Sequence, residues 1–123
     1  MQEVMKADWV KALRSGKYNQ ANGVLCNGTA YCCLGVLCAV AGAEFQDLEV
    51  ESENGSDEVE VLLHKPVLDG KVLAGSNGWD DTLTYEFIQD LGITLSEQDH
   101  LVNMNDVEKR TFDEIADWIE ENL

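Results

Sequence analysis

The sequence predicts an α+β fold: a small antiparallel sheet packed on about four to five helices. Three observations predict it. Residues 45–64 alternate apolar and acidic positions about Asn54-Gly55, the strongest short-range hairpin signal. The stretches 3–14 and after Thr111 repeat apolar residues at three- and four-residue intervals, the period of an amphipathic helix. Residues 30–41 are apolar all round, as suits a central helix covered on most sides. The length of 123 residues, without internal repeat or linker, points to one domain, 1–123. Such a chain buries about two-thirds of the surface that it exposes when unfolded.

In the first helix, 3–14, Met5, Trp9, Ala12 and Leu13 form the buried stripe; Lys6, Lys11 and Arg14 lie off it, and Ser15-Gly16 stops it. Residues 17–29 read as loop, with turn signals at Asn22-Gly23 and Asn27-Gly28 and a short strand between. The hairpin, about 45–64, is expected to close with a two-residue loop, so that partners sum to 109. Val50 then faces Val59 and Leu48 faces Val61, while Glu49 faces Glu60 and Glu51 faces Glu58. One face would be apolar and the other a carboxylate surface. A third, edge strand is expected after Pro66, over 67–73. Gly75-Ser76-Asn77-Gly78 reads as loop, and Asp81 or Thr82 as the cap of a helix to about Gln89, ending near Gly92. Ser96 is the expected cap of a short helix through Asn103. Thr111 and Glu114 have the form of a capping box, followed by a buried stripe of Phe112, Ile115, Ala116 and Ile119.

Charge bounds the function. The chain has 24 acidic and 8 basic residues, a net charge of −16 and a pI near 4.1. That sign argues against direct nucleic-acid binding, because it repels phosphates, and against docking on anionic lipid. The basic residues Lys6, Lys11, Arg14 and Lys17 outnumber Glu3 and Asp8 in residues 1–43, whereas residues 44–123 hold 22 acids against four bases. Solubility explains some carboxylate excess, but rarely one so far beyond the handful usual in small domains. The sharper reading is a surface for a basic partner. Its expected contacts are Glu49, Glu51, Glu53, Asp57, Glu58 and Glu60. Carboxylates at alternate strand positions lie about 6–7 Å apart, a charged row able to engage Lys and Arg that otherwise meet phosphates.

The longest apolar run, Ala30 to Ala43, is 14 residues, short of the roughly 20 that a membrane span needs. Ala41-Gly42-Ala43 resembles a cleavage site, but what precedes it reads as folded helix and loop, not as a signal peptide, so the expected location is cytosolic. Cys26, Cys32, Cys33 and Cys38 contain no CxxC pair and form no one-face ligand pair on a helix. They read as small buried hydrophobes in a reducing compartment.

Two stretches point to a family. WVKALRSGKYNQ over 9–20 with YCCLGVLC over 31–38, and LVNMND over 101–106 with FDEIADWIE over 112–120, resemble the opening and closing motifs of small proteins carried by bacteriophages and prophages. The acidic middle lies outside the resemblance, which carries over no catalytic residue. What it implies is origin: a phage accessory protein acting in the host bacterial cytoplasm. Trp9, Leu13, Leu34, Leu37, Ile115 and Ile119 are core by periodicity, Gly35 suits close helix packing, and Asn103, Asn105 and Asp106 read as turn residues before the last helix. A binding role for Tyr18, Asn19, Gln20 and Asn105 is the less favoured reading.

The leading expectation is a non-enzymatic inhibitor of a basic host protein, a nucleic-acid-binding protein or a defence nuclease complex, acting by nucleic-acid mimicry with no cofactor and no metal. A second is a small-ligand protein that sequesters a nucleotide signal, with Lys11, Arg14 and Lys17 as cations and Tyr18 for stacking. A third is a metal-assisted hydrolase built from Asp80-Asp81 with His64 or His100. No GxSxG, HExxH, Walker or glycine-rich fingerprint supports an enzyme.

Overall fold

The computed structural model describes residues 1–51, 59–74 and 82–123, with residues 48–51 and 59–63 described by their backbone alone. The elements are α1 (Glu3–Arg14), β1 (Asn19–Gln20), β2 (Ala30–Tyr31), α2 (Cys33–Val40), β3 (Glu44–Glu51), β4 (Val59–Leu68), β5 (Lys71–Val72), α3 (Tyr85–Leu91), α4 (Leu95–Asp106) and α5 (Phe112–Asn122). β1 and β2 form a short parallel pair, and β3, β4 and β5 an antiparallel sheet in that order. The fold is α+β, as the sequence predicts.

The apolar segment lies at the centre. Cys33 through Cys38 are all buried, and α2 packs against α1 and α4 while α1 packs along α5. Trp9 is fully buried, and its indole N–H donates to the Cys33 carbonyl at 2.9 Å. Gly35 admits a backbone, not a helix: a Cβ there would collide with the Leu25 carbonyl, which also accepts the Cys32 N–H at 3.2 Å. The helix starts three residues later than 30 because Ala30–Tyr31 pair with β1 and Cys32 is its extended N-cap, its sulfur accepting from Gly35 N–H.

The hairpin register differs from the expected one. Leu48 pairs with Leu62, Glu49 with Val61, Val50 with Glu60 and Glu51 with Val59, so partners sum to 110. Val50 is therefore not opposite Val59, and Glu49 is not opposite Glu60; Glu58, expected opposite Glu51, lies outside the described residues, as does the Asn54-Gly55 turn. A two-residue turn at Asn54-Gly55 requires partners that sum to 109, and the described pairs do not meet that requirement. A one-residue slip exchanges faces. Three of the four rows now join an apolar with an acidic residue, so wholly apolar and wholly acidic faces do not follow.

Nearer the helices, Gln46 pairs with Lys65 and Glu44 with Val67. The extra residue is taken up in β4, where His64 has φ 54° and donates its N–H to an Asp47 carboxylate oxygen at 3.0 Å. β4 runs through buried Pro66 to Leu68, so the third strand is only Lys71–Val72. Asp69-Gly70 joins them with φ 51° and 77°, the two positive values of a type I′ turn.

Thr84, not Thr82, occupies the N-cap position of α3, without a side-chain capping hydrogen bond; Asp81 lies outside the described residues. Leu83 is held extended by its bridge to Ala74 and by the Gln98 amide oxygen, which accepts its N–H at 2.8 Å. Gly92 closes the helix at φ 82°. α4 is capped two residues earlier than Ser96, by Thr94, whose capping box with Glu97 is complete, and it runs past Asn103 to Asp106. The Thr111–Glu114 capping box opens α5 as expected.

Candidate functional site

Of the six expected partner contacts, Glu49 and Glu51 lie on β3 and Glu60 on β4; Glu53, Asp57 and Glu58 lie outside the described residues. β3 is the edge of its sheet and holds Glu44, Asp47, Glu49 and Glu51 without a basic residue. Glu44 and Asp47 are exposed. The one lysine of β4, Lys65, is buried at 7% exposure, and beside it His64 places Nδ1 3.7 Å from the Asp47 carboxylate. Charge on an edge strand blunts indiscriminate strand pairing and leaves a surface matched to cations.

The two family-like motifs meet in a buried polar junction. Asn105 is fully buried. Its amide oxygen accepts from Cys33 N–H at 3.2 Å and from the Gln20 amide at 3.0 Å. Its nitrogen donates to the Ala21 carbonyl and to Asp106, each at 2.8 Å. Asp106 in turn accepts from Gly23 N–H at 2.9 Å, and Gln20 also donates to the Arg110 carbonyl at 2.7 Å. Among the described residues no buried side-chain nitrogen or oxygen lacks a partner. This junction uses its polar capacity internally: it holds β1, α2 and α4 together. Asn105 is therefore helical, not a turn residue. Its signal was available in the spacing Gln98, Leu101, Asn105, which places it on the buried stripe of α4.

Of the residues of the other two expectations, Lys11 and Arg14 line one groove along α1 with Glu120. Arg14 binds Asp117 at 2.6 Å and Glu120 at 3.4 Å on α5, contacts that hold its guanidinium above its ordinary pKa. Tyr18 packs edge-on against Tyr31, with ring centroids 5.2 Å apart, and Tyr31 edge-on against Phe45 at 5.4 Å. Burial, then the neighbouring Cys26 and Tyr18, push the Tyr31 hydroxyl upward. His64 lies against Gly28, and His100 stacks on Trp118 at 4.7 Å; Asp80 and Asp81 lie outside the described residues. Among the described residues no group of three His, Cys, Asp or Glu side chains is arranged to hold a metal ion. None of the four cysteines is in a disulfide, and all are buried. Desolvation, with Cys32 nearby, raises the Cys33 and Cys38 thiols well above the usual range. Among the described residues, no helix is long and apolar enough to cross a membrane.

These features define a small α+β protein with an acidic strand edge and a closed polar junction between its end motifs. The chain belongs to the family described as a domain of unknown function (DUF8296), whose model matches residues 1–123. No curated protein and no solved structure matches it.

Proposed function

We propose that this is a phage-type accessory protein whose acidic sheet binds a basic host protein in place of nucleic acid, in the host bacterial cytoplasm, and that it acts by occupancy rather than by catalysis. The observation that carries this reading is the charge of the hairpin: β3 holds four carboxylates and no basic residue, and the single lysine of β4 is buried. Glu49, Glu51, Glu53, Asp57, Glu58 and Glu60 are the proposed contacts; since Glu60 pairs with Val50 and not with Glu49 or Glu51, the partner is proposed to meet the strand edge rather than a single face. Carboxylates at this density engage Lys and Arg through charge-assisted hydrogen bonds and steer association at a distance. The phage assignment rests on the end motifs, which resemble those of phage and prophage proteins.

The test is capture from nuclease-treated bacterial lysate on the immobilised chain, followed by elution with duplex DNA. Basic nucleic-acid-binding proteins should be retained and released by DNA in competition. Retained proteins that DNA does not displace would overturn the mimicry.

A further inference from the structure

Between the Asp69-Gly70 turn and α3 lies a cleft of about 490 Å³, within the range of small-ligand sites. Its floor is apolar, formed by Leu68, Leu73 and Phe87, and Leu73 and Phe87 belong to the core. Its rim holds Asp69, Glu86 and Asp90. Lys71 is the one cation of the lining and lies 3.3 Å from Glu86. Among the described residues no side-chain hydrogen bond or ion pair engages the Asp69 or Asp90 carboxylate. Lys71 thus neutralises one carboxylate and leaves two facing the cleft.

An apolar floor below two unpaired carboxylates selects its occupant. An aliphatic group gains nothing from the rim, and a bare cation leaves the floor wet. A side chain with a methylene stem and a cationic head satisfies both. The planar guanidinium, with donors on two edges, can meet two carboxylates at once, where an ammonium acts as a point charge. We propose that this cleft is the anchoring site for an arginine side chain of the basic partner. The proposal rests on the reading that the partner is a basic protein, and it adds a second contact on described residues beside the hairpin. The cleft supplies burial for the stem, which an exposed acidic strand does not.

The experiment is an NMR titration of the isotope-labelled chain at low ionic strength with N-acetyl-arginine amide, N-acetyl-norleucine amide and guanidinium chloride. Saturable amide shifts should concentrate at residues 68–73 and 85–90 with the arginine compound, and binding of either fragment should be at least about tenfold weaker. Asp69→Asn/Asp90→Asn should abolish those shifts and preserve the spectrum elsewhere, since Asn tolerates the positive φ at 69. Shifts scattered over exposed carboxylates without saturation, or unchanged in the double variant, would overturn the site. In the lysate capture, the double variant should release the basic partner at lower salt. Undiminished retention would overturn the anchor and leave the acidic-sheet reading standing. If no basic protein is retained at all, the partner reading fails, and the arginine titration still decides whether the cleft binds.

Discussion

The Asn105 amide oxygen accepts the backbone N–H of Cys33 at 3.2 Å, so one residue of α4 holds the first turn of α2. The same side chain reaches Gln20, Ala21 and Asp106, which uses both donors and both lone pairs of the amide. Asn105→Ala would leave the Ala21 carbonyl and Cys33 N–H buried without that partner. Its expected cost is about 2–4 kcal/mol of unfolding free energy in urea titrations. Gln20→Ala, at an exposed position, should cost less than about 1.5 kcal/mol. Equal losses at the two positions would mean that the junction is not centred on Asn105.

Gly35→Ala tests the contact between α2 and the loop before it. The added carbon meets the Leu25 carbonyl, a backbone group that also holds Cys32, so relief requires moving the loop. Thermal unfolding should show a loss near the upper end of the about 1–3 kcal/mol typical of overpacking. A neutral substitution would show that the loop yields freely.

The buried thiols predict a pH dependence with a definite sign. Burial raises Cys33 and Cys38 in the folded chain, so folding favours the neutral thiol. The stability that this contributes is complete below the unfolded thiol value of about 8.5 and is lost progressively as pH rises above it, toward the raised folded values. Urea midpoints should fall between about pH 8 and about pH 10, and Cys38→Ala should reduce that slope. An identical slope in the variant would assign the alkaline loss to other groups.

The hairpin register can be read by cross-strand NMR contacts. Backbone contacts are expected between 50 and 60 and between 48 and 62. Contacts between 50 and 59 would restore the register of a two-residue turn and, with it, the facing pair Glu49–Glu60.

Much of the fold is legible in the sequence, for physical reasons that also explain the misses. α1 and α5 are plain because their apolar stripes have helical period and Thr111 begins a capping box. Thr94-x-x-Glu97 carries the same box signature, yet Ser96 competes with it as a cap of equal local merit. The register depends on turn length, and Asn-Gly fixes a turn type only where the loop has two residues. Asp69-Gly70, a dipeptide of the same kind, lies inside an apolar stretch that reads as continuous strand. The acidic sheet is visible in charge counting alone. The cleft at Phe87 is not, because it forms where a turn after β4 meets a helix more than ten residues further along the chain.

The central claim is that the carboxylates of the hairpin hold a basic host protein. The most direct measurement compares salt-dependent retention of lysate proteins by the natural chain and by a variant with Glu49, Glu51, Glu53 and Glu58 and Glu60 changed to Gln and Asp57 to Asn. The account predicts that basic nucleic-acid-binding proteins stay on the natural chain, elute at moderate salt, and are lost from the variant even at low salt, because each removed carboxylate removes a screened attraction. Retention of the same proteins by both chains, with the same salt dependence, would contradict it.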